Sequence, residues 1–126
     1  LLAKEVDFAS IGTNDLTQYV LVADRGNPNV GVKLSYYDPA VLRAIYQTIS
    51  AFRQADVKIS VCGEAGSDVH FLPLMLAMGL RYVSVSRSLI DRVRYTVLNT
   101  CVEEQKTVLQ HVLTVATEEE VRAAVS

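Results

Sequence analysis

The sequence predicts an α/β fold with parallel strands, because strand-like and helix-like patterns alternate along it. Three short segments rich in apolar residues, 6–12, 57–62 and 81–86, have the length and flanking polar or glycine residues of buried strands. Each is followed by a stretch with helical periodicity. Strands separated by helices pair in parallel, and the residues that follow them meet at one edge of the sheet. We therefore expect ligand chemistry at that edge.

Length and composition indicate one soluble domain. The chain has 126 residues, and 12 Lys and Arg against 14 Asp and Glu give a net charge of −2, which argues against nucleic acid or an anionic membrane as partner. No apolar run is long enough for a membrane-spanning helix. Two distant cysteines favour a reducing compartment, so a cytoplasmic location is expected. The first residue is Leu, so we expect a fragment of a longer protein.

The first helix is expected over residues 16–23, with Asp15 as N-cap and Gln18 completing a capping-box pattern. Residues 24–39 then form an irregular loop, longer than most connections, which favours a functional role. The second helix begins at Asp38-Pro39 and runs to residue 55. Its polar side directs Arg43 and Arg53 toward solvent.

Further helices are expected over residues 69–78, 89–99 and 103–115. Gly79 ends the first of these, and Thr117 opens a last short helix through a capping box. The helix over 89–99 has an apolar side made of Ile90, Val93, Val97 and Leu98.

Two polar motifs stand directly after strands. They are Thr13-Asn14-Asp15, after the first strand, and Cys62-Gly63-Glu64, after the second. In a parallel sheet both motifs lie at the same edge, where (β/α) barrels carry their catalytic residues.

These motifs resemble one enzyme family. Ser-Ile-Gly-Thr-Asn-Asp-Leu-Thr-Gln-Tyr at residues 10–19, Asp-Arg-Gly-Asn at 24–27 and Cys-Gly-Glu at 62–64 are similar to Enzyme I of the bacterial sugar phosphotransferase system, a phosphoenolpyruvate (PEP)-protein phosphotransferase of the PEP-utilising enzymes. The resemblance implies the last three β/α units of a (β/α)8 TIM barrel, a partial barrel with C-terminal helices. Residues 1–126 would be a C-terminal fragment of the PEP-binding barrel, with barrel units over about 6–100 and a helical tail over about 101–126.

The resemblance also implies an activity. Such enzymes bind PEP and Mg²⁺, transfer the phosphoryl group to a histidine on another domain, and pass it to a histidine-containing phosphocarrier protein, which starts or regulates sugar uptake. It implies a homodimer as well. Because the remaining barrel units and the phosphohistidine domain have no counterpart here, we expect this chain to be inactive alone.

Four residues carry the implied site. Asp15 resembles the Mg²⁺ ligand, and Asn14, Asp15 and Arg25 resemble substrate-binding residues; Mg²⁺ prefers carboxylate and substrate oxygens, and Arg grips phosphate through two parallel hydrogen bonds. Cys62 resembles the residue that protonates the enolate as pyruvate forms. Three of them have a plainer alternative: Asp15 as an N-cap, Arg25 as a solvated loop residue, and Cys62 as inert packing.

The chain departs from the family pattern at two places. After Cys-Gly-Glu, Ala65 stands where the family has a larger apolar residue, and Ser67 stands where it has a smaller residue. Tyr36-Tyr37 stand in a segment where the family often has proline. The tyrosines are expected to pack against a helix or to cover substrate.

Two other functions remain open: a non-catalytic dimerisation module, and a fragment of a pyruvate phosphate dikinase or PEP synthase relative.

Overall fold

Three parallel strands form the sheet in the computed structural model, which describes residues 1–24 and 34–126. They are β1 (Phe8–Gly12), β2 (Lys58–Cys62) and β3 (Tyr82–Ser84), in the spatial order β1-β2-β3. Both pairings are parallel, which confirms the predicted sheet. The strands are somewhat shorter than their apolar segments.

Six helices and three short 3₁₀ turns complete the described chain. The helices are α1 (Thr13–Leu21), α2 (Pro39–Gln54), α3 (Leu72–Met78), α4 (Ile90–Leu98), α5 (Val102–Val112) and α6 (Glu118–Val125). The 3₁₀ turns are Leu2–Lys4, Glu64–Ser67 and Arg87–Leu89. No helix of residues 1–24 or 34–126 is long and apolar enough to cross a membrane.

The start of α1 differs from the prediction. The helix begins at Thr13, directly after β1, and its N-cap is Gly12, whose side chain can make no capping bond. Asp15 therefore lies in the first turn of the helix and is not its N-cap. A carboxylate in the first turn still interacts favourably with the partial positive charge of the helix N-terminus.

The start of α2 agrees with the prediction. Asp38 Oδ1 accepts a hydrogen bond from the backbone N–H of Ala40 at 2.8 Å, and Pro39 is the first helical residue.

The prediction that Arg43 points toward solvent is wrong. Its guanidinium turns inward and donates to the carbonyls of Leu113 and Val115, at 3.1 and 2.6 Å, and so fastens the tail to α2.

The helices cover one face of the sheet. Ile11, Ile59 and Val61 point into the core from β1 and β2, where they join the apolar side of α2 and most of α3. The buried core residues of α2 and α3 are Val41, Leu42, Ile45, Ile49, Phe52, Leu72, Leu74, Met75, Ala77 and Met78.

The opposite face of the sheet, which we call the open face, is exposed. Alternation along the strands places Phe8, Lys58 and Tyr82 on it, and the side chains of Phe8 and Tyr82 are 70% and 48% exposed. The Lys58 ammonium lies 4.2 Å from the centre of the Tyr82 ring. Parallel sheets are normally covered on both faces, so among the described residues this side lacks the packing that is usual.

Helix α4 is weakly packed, contrary to the burial expected for its apolar side. Thr96 is its only buried residue, whereas Ile90, Val97 and Leu98 are exposed, Leu98 at 84%. Amphipathic spacing shows which residues share a side of the helix, but it cannot supply a surface for them to cover.

The tail helices form as expected. The Thr117 side chain accepts from the backbone N–H of Glu120, while the Glu120 carboxylate accepts from that of Thr117, which is the predicted capping box. The hydrogen bonds from the backbone of Ala116 and from Thr117 lower the pKa of the Glu120 carboxyl.

Candidate functional site

The carboxyl ends of β1 and β2 lie side by side. Gly12 pairs in register with Cys62, and Thr13 follows Gly12 as the first residue of α1. Thr13 is fully buried, and its hydroxyl donates to the carbonyl of Cys62 at 3.1 Å. This bond fastens the beginning of α1 to the end of β2, so the two sequence motifs meet as predicted.

Gly63 makes the close approach of the two motifs possible. Its φ of 97° is unfavourable for residues with a side chain, and a Cβ at this position would lie 2.7 Å from Thr13 Oγ1 and 3.9 Å from Asn14 Cγ. The chain then enters the 3₁₀ turn that begins at Glu64. The glycine is therefore required by the backbone angle and by the space beside Thr13.

A small cavity of about 200 Å³ lies over this junction. Its lining combines one carboxylate, two carboxamides, a hydroxyl, a phenol and one apolar side chain: Glu64, Asn14, Gln18, Thr17, Tyr36 and Leu34. The Thr17 hydroxyl is committed to the Thr13 carbonyl at 2.7 Å. No Lys or Arg is among the described lining residues, so a phosphate bound here would need cations from elsewhere.

Asp15 borders a different hollow from Asn14. It is exposed and lines a groove of about 410 Å³ with Gln18, Tyr19 and Asp24. Neighbouring residues of a helix point about 100° apart, which separates Asn14 from Asp15, while Gln18 borders both hollows.

Metal-binding capacity in the described part of the chain is limited. Residues 1–24 and 34–126 contain no group of three or more His, Cys, Asp or Glu side chains that could hold an ion. Asp15 fits a Mg²⁺ site only as one carboxylate, with the other ligands supplied by substrate oxygens, water or other protein groups.

Cys62 is half-buried at the carboxyl end of the open face. Its Sγ lies 3.5 Å from the carbonyl oxygen of Ile11, and Cys62 pairs in register with Ser84 of β3. It is absent from the described lining of the cavity around Asn14. Arg25, the remaining predicted residue, lies outside the described residues.

Sequence reasoning missed the role of Asp68. The phenol hydroxyls of Tyr36 and Tyr37 donate to its Oδ2 at 2.8 and 2.7 Å, and the backbone N–H groups of His70 and Phe71 donate to its Oδ1 at 2.9 and 3.2 Å. We call Tyr36, Tyr37 and Asp68 the tyrosine–aspartate cluster. The two adjacent tyrosines were a signal in the sequence, but their partner is 31 residues away along the chain.

The cluster shifts the pKa of each member. Burial alone would raise the pKa of Asp68, but the hydrogen bonds from Tyr37, His70, Tyr36 and Phe71 outweigh it, and the pKa is lowered. Burial, and then hydrogen bonding to Asp68, raise the pKa of both phenols well above their ordinary value. The cluster is therefore most stable as one carboxylate with two neutral phenols.

The fold and this edge define a class: an α/β domain with its polar residues gathered where parallel strands end. Residues 1–102 match the family model described as PEP-utilising enzyme, PEP-binding domain, and the chain therefore belongs to that family.

Curated relatives carry matching names. The chain is 40% identical over 119 residues to the phosphoenolpyruvate-protein phosphotransferase of Haloferax volcanii and 41% identical over 119 residues to that of Geobacillus stearothermophilus; each alignment covers 94% of this chain and 21% of the relative. It is also 40% identical over 97 residues to a probable phosphoenolpyruvate synthase of Archaeoglobus fulgidus, covering 77% of this chain and 13% of the relative. The chain thus spans about a fifth or less of these relatives' length.

Proposed function

We propose that this chain is part of a phosphoenolpyruvate-protein phosphotransferase and supplies one portion of its PEP site. The observation that carries the proposal is the register of Gly12 with Cys62, together with the hydrogen bond from Thr13 to the Cys62 carbonyl. It brings both family-like motifs to one edge of a parallel sheet. The relatives bearing that name match nearly the whole chain.

Its fold is a partial TIM barrel in this proposal. The helices cover one face of the sheet and the other face is open, as in a barrel segment whose outer face carries the helices and whose inner face awaits the remaining strands. A doubly wound sheet would carry helices on both faces. Residues 6–100 form the last three barrel units, and residues 101–126 form the helical tail.

Cys62 acts as the proton donor. Loss of the phosphoryl group from PEP leaves the enolate of pyruvate, the thiol transfers its proton to the enolate carbon, and the thiolate regains a proton from solvent. The half-buried position at the end of the open face suits this role, since barrel interiors open to substrate at the carboxyl ends of their strands.

Asn14, Asp15 and Arg25 bind substrate. The Asn14 amide faces the 200 Å³ cavity and offers donors to substrate oxygens. The exposed Asp15 carboxylate, which borders the neighbouring hollow, would hold Mg²⁺ together with substrate oxygens, and the bound ion would supply positive charge to the phosphate. Because the described cavity lining lacks cations, the guanidinium of Arg25 supplies positive charge.

The phosphoryl group then passes to a histidine on another domain and to a phosphocarrier protein. The complete enzyme is a cytoplasmic homodimer that starts or regulates sugar uptake. The alternative is that this chain is part of a phosphoenolpyruvate synthase, because a probable enzyme of that kind also matches at 40% identity.

Two experiments test this function. The first is calorimetric titration of the chain with PEP, with and without Mg²⁺: we expect binding that Mg²⁺ strengthens and that Asp15→Asn makes insensitive to Mg²⁺, without pyruvate formation. Absence of binding at millimolar PEP would contradict a substrate site on this chain.

The second experiment uses the full protein encoded by the reading frame that contains this chain. Cys62→Ala should slow pyruvate formation about 100-fold or more, as expected when a positioned general acid is removed. The matched control is Cys101→Ala, which removes the exposed cysteine at the start of α5. Equal rates for Cys62→Ala and the control would refute the proton-donor role.

A non-catalytic assembly module is the second candidate, favoured by the exposed apolar residues of α4 and the open face. Light scattering combined with the calorimetric titration separates the two functions. A stable oligomer that does not bind PEP would support the assembly module, whereas a PEP-binding chain would support the phosphotransferase.

A further inference from the structure

The Asp68 carboxylate in the tyrosine–aspartate cluster has all of its partners within the protein. Its two oxygens accept four hydrogen bonds, two from phenols and two from backbone N–H groups, at 2.7–3.2 Å. Hydrogen bonds to an ionised acceptor are short and roughly twice as strong as neutral ones. A carboxylate committed in this way holds other groups in place and has little capacity left for a ligand.

The cluster joins two loops that are distant in sequence. Tyr36 and Tyr37 belong to the segment that leads into α2, and Asp68 follows the 3₁₀ turn after β2. The tyrosine rings also pack against Phe71, with ring centroids 5.0 and 5.1 Å from its ring at steep angles. Edge-to-face packing fixes ring orientation as well as distance.

Tyr36 connects the cluster to the candidate site. Its hydroxyl donates to Asp68, while its half-buried side chain lines the 200 Å³ cavity together with Asn14, Gln18 and Glu64. The position of this wall therefore depends on where Asp68 holds the phenol.

Helix α6 supports the cluster from outside the segment that matches the family model. The Arg122 guanidinium lies 4.0 Å from the centre of the Tyr37 ring, and its Nη2 donates to Ser35 Oγ at 3.2 Å. Its Nε forms an ion pair with Glu118 at 2.7 Å. The tail thus reaches the loop that carries both tyrosines.

We propose that Asp68 and Tyr37 are positioning residues that fix the Tyr36 wall of the candidate substrate cavity, with Arg122 of α6 holding Tyr37 in place. Asp68 and Tyr37 act through Tyr36 and touch no substrate. The part of the proposal that concerns substrate affinity rests on the proposed function, whereas the part that concerns the cavity does not.

The test is Tyr37→Phe, which keeps the ring and removes a hydroxyl outside the cavity lining. Nuclear magnetic resonance of the folded chain should show shifts of the side-chain amide signals of Asn14 and Gln18, which line the cavity. PEP affinity should fall about fivefold, which corresponds to about 1 kcal/mol of binding free energy, because the Tyr36 wall is held less firmly in place. Tyr46→Phe, which removes a phenol hydroxyl on α2 outside the cluster, is the control and should change neither readout.

The outcomes separate the two proposals. Unchanged Asn14 and Gln18 signals in Tyr37→Phe would overturn the positioning role even if its stability fell, because a purely structural bond need not move the cavity wall of the folded chain. If Tyr37→Phe shifts these signals but the wild-type chain does not bind PEP, the result would support the positioning role and contradict the proposed function. If Tyr37→Phe does not fold, Arg122→Gln, which leaves all the phenols in place, should shift the same signals, and unchanged signals there would also overturn the role.

Discussion

The first two β/α units differ sharply from the third in how completely they are packed. The core side of α2 is fully buried against β2 and α3, and Thr13 closes the junction between β1 and β2. The third unit has a three-residue strand and a helix, α4, in which Thr96 alone is buried. The difference shows that the candidate cavity lies beside the more fully packed part of the chain, whereas most side chains of α4 in the third unit remain exposed.

The largest effect expected from this comparison comes from Leu42→Ala. Leu42 is 0% exposed in the core side of α2, and removing it leaves a cavity, so the free energy of unfolding should fall by about 3 kcal/mol. Chemical denaturation measures this value. The same substitution in the third unit, Leu98→Ala, is the matched comparison; a similar loss there would contradict the difference in packing.

Gly63→Ala should have the next largest effect, about 2 kcal/mol. Alanine at a φ of 97° is strained, and its Cβ would meet Thr13 Oγ1 at 2.7 Å. Gly12→Ala is a milder change, because φ there is −81° and the nearest atom, Asp15 Oδ2, is at an ordinary 3.6 Å. Denaturation curves should rank Gly63→Ala clearly below Gly12→Ala in stability. The reverse order would be evidence against the tight junction of the two motifs.

Asp68→Asn should cost about 1.5 kcal/mol at neutral pH, because the amide cannot accept all four hydrogen bonds and carries no charge. The lowered pKa sets the pH dependence. Because the native pKa lies below that of the unfolded chain, the stabilisation is complete above the unfolded value of about 4 and is lost as the pH falls through the native value. Unfolding measured at several pH values should show the gap between wild type and Asp68→Asn closing in acid. A gap that stays constant down to pH 2 would contradict this account.

The smallest effect on stability is expected at Leu98, where alanine should change the free energy of unfolding by less than about 0.5 kcal/mol. Its effect should appear instead in association, since Leu98 and Tyr95, both exposed and three residues apart, form an apolar surface on α4. Light scattering of Leu98→Ala against wild type measures this. A monomeric wild type would remove α4 as a self-association surface of this chain.

Local features of the fold were predictable where short-range chemistry decides them. Asp38-Pro39 starts α2 and Thr117 starts α6 as expected, because each cap bonds to groups within three residues. The start of α1 was not predictable in this way. Gly12 takes the N-cap position, and the Thr13 hydroxyl bonds to the Cys62 carbonyl 49 residues away.

The candidate site was predictable in its location and only partly in its membership. The order of strands and helices places Asn14, Asp15 and Cys62 at one edge of the sheet, since carboxyl ends of parallel strands coincide. It does not show that Asn14 and Asp15 border different hollows, or that Cys62 lies at the end of the open face. Those depend on side-chain directions.

The sequence by itself determined the alternation of strands and helices, the parallel sheet and the two motifs at its edge, because periodicity, caps and glycines act over a few residues. Only the tertiary structure decided that Asp68 binds Tyr36 and Tyr37, that Arg43 holds the tail, and that α4 remains exposed. These outcomes depend on which distant surfaces and polar groups meet. A sequence pattern can state that an apolar side or a carboxylate needs a partner, but the fold decides which partner it finds.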